Sequence, residues 1–306
     1  MLLRRRGAAS ASQGGLTMAN VTIVGFGVMG RAAGRLLLDA EHALRVSDPA
    51  PASLAAAAEM GVEAVSLGAV ADRPGLVLLF LPGPDQIRQV VSGAGGLLAT
   101  AKAPITIVDH STANPEVARD MAELATAQGH HWIDAPVLGR PQVAGKWTLP
   151  IGQTEGALEA ARPVLECYAA NLFEIGEAGS GHVVKLLNQM MFGAINAMTA
   201  EMMAVSERLG VAPALLYEIM MASNAATVSN LYRELGKRVS EDRYDEATFS
   251  MRLLEKDVRL GLEMARAAGL EPKVGASVAA LNEAALEAGL GEEDTAVLWK
   301  VVASDG

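Results

Sequence analysis

Residues 21–38 read VTIVGFGVMGRAAGRLLL, an apolar run followed at once by a glycine-rich turn and a segment of helix-forming residues. Gly25, Gly27 and Gly30 have the spacing G-x-G-x-x-G, which in this strand–turn–helix context is typical of a dinucleotide site. Gly25 permits the tight turn, Gly27 lets the backbone approach a pyrophosphate, and Gly30 lets the helix pack closely on the strand. The phosphates would lie at the helix N-terminus. This stretch therefore predicts a Rossmann-type domain.

A carboxylate follows the glycine turn at the distance that such a site requires. Asp48 ends the next apolar run, LRVSD, and an acidic residue about 20 positions after the glycines accepts hydrogen bonds from the adenosine ribose hydroxyls. It also repels a 2′-phosphate, so Asp48 favours NAD over NADP as the cofactor. Arg45 lies earlier in the same run and should point elsewhere, although its guanidinium leaves NADP as the alternative cofactor. The alternative for Asp48 is a solvated turn residue before Pro49.

Beyond this stretch, apolar runs of strand length alternate with segments of helix length. The predicted strands are NVTIV, LRVSD, GLVLLFL, ITIVDHS, HHWIDAPV, TLPIGQ and NLFEIGEA. Such alternation predicts parallel βαβ units. We therefore expect an α/β fold in which residues 18–177 form an NAD(P)-binding Rossmann domain with a doubly wound parallel sheet. Residues 178–306, where the strand pattern disappears, are expected to form an all-α domain for substrate binding and dimerisation.

The composition restricts the class of partner. The 306 residues are 51% hydrophobic, which is enough to bury two domain cores. A formal net charge of −10 argues against binding to nucleic acid or to an anionic membrane surface. No apolar run approaches the roughly 20 residues that cross a bilayer, and the single cysteine, Cys167, fits a reducing compartment. We expect a cytoplasmic protein with a small-molecule partner.

Residues 1–17, MLLRRRGAASASQGGLT, precede a second methionine, Met18, and contain Arg, Ala, Ser and Gly but no acidic residue. We interpret them as a disordered leader, or as the product of an upstream start codon with the working start at Met18. The alternative is a mitochondrial transit peptide, which would place the protein in the mitochondrial matrix.

A single lysine lies near the start of an apolar helix predicted over residues 181–209. The polar groups of this helix fall on one stripe at about 100° per residue, namely His182, Lys185, Gln189 and Asn196. Such a helix should be buried nearly all round, so the stripe either satisfies neighbouring groups or faces a ligand in a cleft. We favour the cleft, because a partly desolvated lysine has a lowered pKa and can exchange a proton near neutral pH.

An ordered set of motifs resembles one family. The set comprises Gly25-Phe26-Gly27-Val28-Met29-Gly30, Leu81-Pro82, Asp109-His110-Ser111-Thr112, Asp134-Ala135-Pro136-Val137, Gly179-Ser180-Gly181 with Lys185 and Asn188-Gln189, and Lys256-Asp257. Together these motifs look like the β-hydroxyacid dehydrogenase family, which includes 3-hydroxyisobutyrate dehydrogenases and tartronate semialdehyde reductases. The resemblance runs in order over nearly the whole chain after Met18.

The resemblance implies roles for individual residues. The family's lysine at the position of Lys185 is the catalytic acid/base, which exchanges a proton with the substrate oxygen as a hydride moves to or from nicotinamide. Gln189 matches an amide that helps to orient the substrate, and Asn188 lies beside it.

The same resemblance implies the cofactor contacts. The matching residues are Gly25, Phe26, Gly27, Val28, Met29 and Gly30 of the glycine turn, together with Leu81, Pro82, Thr112 and Lys256, the last of which matches a lysine that closes over the cofactor. A helix cap is the alternative for Thr112, and a solvated partner of Asp257 is the alternative for Lys256.

The chain departs from the family pattern in the loop DAPVLGRPQVAGKWTL. The family usually continues Asp-Ala-Pro-Val with Ser-Gly-Gly, which holds the substrate carboxylate. Here Leu138 replaces the serine, Gly139 is retained, and Arg140-Pro141 replace the second glycine. Either Arg140 binds the carboxylate with bidentate geometry, or the pocket accepts a bulkier, less polar substrate against Leu138. An ordinary surface position is the alternative for Arg140.

The leading hypothesis is hydride transfer between a nicotinamide cofactor and a small β-hydroxy acid or its semialdehyde or keto form. An imine reductase shares the architecture, but those enzymes generally lack the lysine; a non-catalytic dinucleotide-binding module is the other alternative.

The spacing of His110, His130 and His131 fits no usual ligand pattern, so we expect no metal. Apolar residues on several faces of the 181–209 helix favour a homodimer or homotetramer.

Overall fold

The computed structural model describes residues 18–223 and 229–304. Eight strands form one sheet: β1 Asn20–Val24, β2 Ala43–Ser47, β3 Glu63–Ala64, β4 Leu76–Leu79, β5 Thr106–Asp109, β6 His131–Asp134, β7 Trp147–Gln153 and β8 Ala169–Glu177. Their order in the sheet is β3-β2-β1-β4-β5-β6-β7-β8. From β1 the chain adds strands towards one edge of the sheet, and from β4 it adds them towards the other. Ligands of doubly wound sheets bind at this point, where the strand order reverses.

Thirteen helices are described, seven of them within the sheet domain. These are α1 Val28–Asp39, α2 Pro51–Glu59, α3 Leu67–Val70, α4 Pro84–Ser92, α5 Leu97–Thr100, α6 Pro115–Ala127 and α7 Ala157–Leu165. The helical region that follows contains α8 Ser180–Arg208, α9 Pro213–Ser223, α10 Asn230–Ser240, α11 Met251–Ala267, α12 Lys273–Glu287 and α13 Leu298–Ser304. The α/β fold with an all-α C-terminal region is confirmed, and within the described residues that region shows one isolated bridge, between Ser250 and Asp294.

The sheet differs from the expected parallel one at one pairing. Strands β1 to β6 pair parallel with one another, but β7 pairs antiparallel with β6. No α-helix lies between these two strands, since residues 135–146 contain only a short 3₁₀ turn at Pro141–Val143. Without a helical crossover the chain reverses direction, and α7 then returns it so that β8 is parallel to β7. The short strand β3 has no apolar pattern and was not predicted.

The core is built on both faces of the sheet and, separately, around α8. Large buried side chains such as Ile23, Trp132 and Trp147 fill the sheet domain. Met203, Leu254 and Val297 lie in the helical core. No described helix is long and apolar enough to span a bilayer.

Helix α8 is not buried all round, contrary to expectation. Leu187, Met191, Met198 and Val205 are 56%, 63%, 61% and 56% exposed. These residues share one side of the helix, opposite the polar stripe. In a single chain, therefore, α8 leaves an apolar face uncovered. The predicted leader, residues 1–17, lies outside the described residues.

Candidate active site

A cleft of about 750 Å³ lies between the carboxyl edge of the sheet and the helical region. It is lined by most of the predicted site residues, namely Gly27, Val28, Met29, Gly30, Leu81, Pro82, Thr112, Gly139, Arg140, Lys185, Asn188, Gln189 and Lys256. Gly25, Phe26, Asp48 and Leu138 are not part of its wall. The sheet side is formed by the segments that follow β1, β4, β5 and β6, because the carboxyl ends of parallel strands meet at one edge.

The glycine turn has the shape that a dinucleotide phosphate requires. A Cβ on Gly25 would overlap the carbonyl oxygen of Phe80, and one on Gly30 would overlap the carbonyl oxygen of Gly25. Glycine is therefore needed at both positions. A Cβ on Gly27 would meet no atom within 4 Å, since this position opens into the cleft. Helix α1 follows with Gly27 as an N-cap that has no side-chain capping bond, so the N–H groups of its first turn are available to a bound pyrophosphate.

Asp48 lies directly behind this turn. Its Oδ2 accepts a hydrogen bond from the Phe26 N–H at 2.6 Å, and its Oδ1 accepts one from the Ala50 N–H at 2.8 Å. Each carboxylate oxygen can accept a further bond, so these contacts fix the carboxylate without using up its capacity. Arg45 points elsewhere, as expected: its guanidinium pairs with Asp72 at 3.0 Å and donates to the carbonyl oxygen of Val70 at 3.1 Å.

Lys185 projects from the first turns of α8 into the cleft. Its Nζ donates to the carbonyl oxygen of Val137, 2.9 Å away, at the loop that follows β6. Burial lowers the pKa of Lys185; the negative charge of Asp257 opposes this, whereas Lys256 and Arg140 lower the pKa further. A lysine with a lowered pKa, held at a fixed point beside the sheet edge, is suited to proton transfer.

The rest of the polar stripe divides between cleft and core. Gln189 lines the cleft and donates to Asp257 Oδ2 at 2.6 Å, and the exposed Asn188 donates to Gln189 Oε1 at 3.0 Å. Asn196, in contrast, is buried and donates to the carbonyl oxygen of Thr295 at 3.0 Å. The expectation that the whole stripe faces a cleft is therefore wrong for Asn196, which satisfies an internal backbone group instead.

His182 is also internal, within a buried cluster at the N-terminus of α8. Its Nε2 lies 3.3 Å from Asp109 Oδ2, and both side chains are fully buried. Burial would lower the pKa of His182, but the carboxylates of Asp109 and Asp134 outweigh it and raise this pKa above its ordinary value. Asp134 accepts the N–H groups of Gly179 at 2.7 Å and of His182 at 3.1 Å. The cluster therefore fastens the start of the lysine helix to the ends of β5 and β6.

Lys256 reaches across the cleft from α11. Its Nζ donates to the carbonyl oxygens of Pro82 at 2.9 Å and Thr112 at 3.3 Å, and lies 2.8 Å from Asp257 Oδ1. Leu81 is fixed nearby through its N–H, which donates to Ser111 Oγ at 2.9 Å. Lys256 thus links the helical region to the backbone that follows β4 and β5.

Arg140 links the sheet domain to the helical region at another point. Its NH2 group lies 2.9 Å from Glu234 Oε2, and its NH1 group donates to Thr248 Oγ1 at 3.1 Å. The guanidinium carbon also lies over the Phe192 ring, 5.6 Å from the centroid. Arg140 is thus a paired cation on the cleft wall rather than an ordinary surface residue.

Leu138 and Gly139 precede Arg140 in the loop that departs from the family pattern, and only one of them faces the cleft. Leu138 pairs with Thr148 through backbone hydrogen bonds of 3.0 and 3.2 Å and does not face the cleft. Gly139 does, and a Cβ there would lie 2.5 Å from Trp147 Cδ1. The interpretation that a substrate packs against Leu138 therefore has no support in the cleft geometry.

The cleft residues that contact Arg140 were not predicted from the sequence; they are Phe192, Glu234 and Thr248. Glu234 and Thr248 belong to a helix and a loop whose patterns are those of ordinary amphipathic segments, and their contact with Arg140 spans up to 108 positions. Only the three-dimensional packing reveals them.

Two of the three histidines considered as metal ligands, His110 and His130, have structural partners. His110 lies with Nδ1 2.6 Å from the Ala135 carbonyl oxygen and Nε2 2.8 Å from the Tyr168 hydroxyl, and burial lowers its pKa to about 4. His130 Nδ1 accepts the N–H of Ile105 at 3.3 Å. Within the part of the chain that the structure describes, no group of three or more potential ligands is arranged to hold a metal.

A dinucleotide-type glycine turn that faces a lysine across a cleft between an α/β and a helical domain defines a class, the NAD(P)-dependent dehydrogenases with a helical second domain. Residues 20–176 match the family described as the NAD binding domain of 6-phosphogluconate dehydrogenase. Residues 179–302 match the one described as NAD-binding of NADP-dependent 3-hydroxyisobutyrate dehydrogenase. The chain belongs to the β-hydroxyacid dehydrogenase family.

Individual relatives agree with this assignment. The chain is 34% identical to the 3-hydroxyisobutyrate dehydrogenase of Pseudomonas aeruginosa, over 85% of this chain and 89% of the relative. It is 28% identical to the 2-(hydroxymethyl)glutarate dehydrogenase of Eubacterium barkeri, over 92% and 94%. Among solved structures, the 3-hydroxyisobutyrate dehydrogenase of Salmonella typhimurium superposes with a TM-score of 0.84 at 26% identity, covering 92% of this chain and 99% of that one.

Proposed function

We propose that this protein transfers a hydride between a nicotinamide cofactor and a small β-hydroxy acid or its semialdehyde or keto form. The observation that carries the proposal is the position of Lys185, half-buried in the same cleft as the glycine turn and held by the Val137 carbonyl oxygen at 2.9 Å. Family membership supports the class of reaction.

Each of three cleft residues has a separate role in the proposed reaction. Reduction of a carbonyl adds a hydride at carbon and a proton at oxygen, and a bound nicotinamide supplies the hydride. Lys185 Nζ gives the proton to the substrate oxygen, and in the oxidation direction it takes the proton from the hydroxyl. Gln189, fixed by Asp257 at 2.6 Å, orients the substrate beside this amine. Lys256 closes the cleft over the cofactor through the backbone of Pro82 and Thr112.

We propose NAD as the preferred cofactor, held by the glycine turn, Leu81, Pro82, Thr112 and Lys256. Asp48 supports this preference, since its carboxylate is fixed beside the turn, where it would repel a 2′-phosphate. The neighbouring cation does not counter it, because Arg45 is paired with Asp72.

We also propose that Arg140 and the backbone of Gly139 receive the substrate carboxylate in place of the family's Ser-Gly-Gly. A guanidinium carries five N–H donors, and the contacts of Arg140 with Glu234 and Thr248 leave donors for a carboxylate in the cleft.

The assembly and location are part of the same proposal. Residues 18–177 and 178–306 act as the cofactor and substrate domains, and the exposed apolar face of α8 forms the contact of a homodimer or homotetramer. An acidic chain with a single cysteine fits a cytoplasmic enzyme acting on small molecules.

A substrate panel tests this function. The protein is assayed with NAD(H) and NADP(H) against β-hydroxy acids, their semialdehydes, simple alcohols and cyclic imines, and turnover is followed at the nicotinamide absorbance. We expect the highest kcat/KM with a β-hydroxy acid and NAD. Turnover of cyclic imines alone, or of no substrate in the panel, would contradict the proposal.

A further inference from the structure

The cation that replaces the family's second glycine is not free in the cleft. Arg140 and Glu234 form an ion pair at 2.9 Å with side chains 27% and 35% exposed, and both line the cleft. A ligand that approaches the guanidinium therefore also approaches a carboxylate. The net charge of this part of the wall is zero, although Arg140 keeps hydrogen-bond donors that Glu234 and Thr248 do not use.

We propose that Glu234 is a specificity-determining residue that restricts the cleft to substrates with a single carboxylate. Arg140 binds that carboxylate, and Glu234 repels a second one. This inference rests on the proposed function, because it names the charge of the substrate that the same site accepts.

The other charged groups of the cleft support this restriction. Among its described lining residues, the remaining charged ones are Lys185, Lys256 and Asp257. Lys256 is paired with Asp257 at 2.8 Å, and Lys185 serves the reacting oxygen. Since the wall next to Glu234 is apolar at Phe192 and Leu231, a second carboxylate would lose water and gain no uncommitted cation.

The ion pair and the reacting group meet at one short loop. Lys185 Nζ donates to the Val137 carbonyl oxygen at 2.9 Å, and Arg140 follows Val137 in the same loop. A small hydroxy acid that presents its hydroxyl to Lys185 therefore has Arg140 on the same cleft wall to receive its carboxylate. A second carboxylate beside Arg140 would also lie beside Glu234, which is 2.9 Å from the guanidinium.

Arg140 keeps its place without the charge of Glu234. The NH1 group of Arg140 donates to Thr248 Oγ1 at 3.1 Å. The backbone carbonyl oxygen of Arg140 accepts a hydrogen bond from Trp147 Nε1 at 2.8 Å. The substitution Glu234→Gln retains an oxygen acceptor of the same shape, so it removes the charge and little else.

Equilibrium binding tests the inference without relying on turnover. Isobutyramide, isobutyrate and methylsuccinate carry charges of zero, minus one and minus two, and their binding to the NADH-loaded protein is measured by calorimetry. In Glu234→Gln we expect methylsuccinate to bind about 10-fold more tightly, isobutyrate about 3-fold or less, and isobutyramide unchanged. Glu234→Ala, which removes the same charge, should give the same ranking. Glu241→Gln, at the end of the same helix, where the partners of the carboxylate are Lys237 and Arg243, is the matched control and should change none of the three affinities.

Three outcomes would overturn the inference: an equal change for all three ligands, weaker isobutyrate binding in Glu234→Gln, or no carboxylate binding to either protein. Weaker isobutyrate binding would show that Glu234 positions Arg140 instead. The proposed function is judged separately by the substrate panel. Charge discrimination without hydride transfer would refute the function alone, and hydride transfer with unchanged discrimination would refute only the role of Glu234.

Discussion

The two sides of α8 reverse the usual arrangement of a surface helix. One side directs Lys185, Gln189 and Asn196 towards the cleft and core, each with a hydrogen-bond partner. The opposite side exposes Met198 and Val205 at 61% and 56%. A helix whose polar side faces inward and whose apolar side faces outward presents two different surfaces: the inner one carries the polar groups of the cleft, and the outer one is an exposed apolar patch of the kind that marks interaction sites.

Removal of the amine from the inner side should have the largest effect. Lys185→Met keeps the length of the side chain but carries no proton, so we expect turnover to fall about 10²-fold or more while NAD(H) binding is retained. Steady-state kinetics and cofactor titration measure the two quantities. Lys146→Met, an exposed lysine in the sheet domain, is the control and should leave turnover unchanged. If Lys185→Met turned over at the wild-type rate, Lys185 would have no role in proton transfer.

A charge on the outer side should have the next largest effect, and on assembly rather than chemistry. Met198→Glu places a carboxylate where an apolar contact between subunits is proposed, so we expect the dimer dissociation constant to rise about 10-fold or more. Sedimentation over a range of concentrations measures it. Leu124→Glu, at an exposed position on α6 in the sheet domain, is the matched control. A wild-type protein that sediments as a clean monomer at micromolar concentration would exclude this use of the outer side.

The smallest effect concerns the pH at which the inner side acts. Burial lowers the pKa of Lys185 and Asp257 partly restores it, so Asp257→Asn should lower this pKa further. Reduction needs the protonated amine, which is lost as the pH rises through the pKa; oxidation needs the neutral amine, which is gained there. The pH profile of kcat/KM for reduction and the one for oxidation should therefore both move to lower pH in Asp257→Asn. A shift of either profile to higher pH would contradict its assignment to Lys185.

The features that the sequence predicts are those set by local pattern. The glycine turn, the strands of residues 20–153 other than β3, and the position of Lys185 each follow from spacing and periodicity within a short segment. The partners of Arg140 do not, because Glu234 and Thr248 reach it only through packing of distant elements. The exposed side of α8 follows only in part: apolar residues on several faces of the helix favour a contact between subunits, but the pattern does not show which face the core of a single chain leaves uncovered.

Asp134 determines how the helix that carries Lys185 is held to the sheet. Its carboxylate binds two backbone N–H groups at the start of α8, whereas α10 and α11 contact the sheet domain through side chains, among them Arg140, Lys256 and Glu263. A bond to the backbone keeps its place when the side chains of the helix rotate. The position of α8 relative to the strand ends therefore does not depend on the rotamers of the residues on the opposite wall of the cleft.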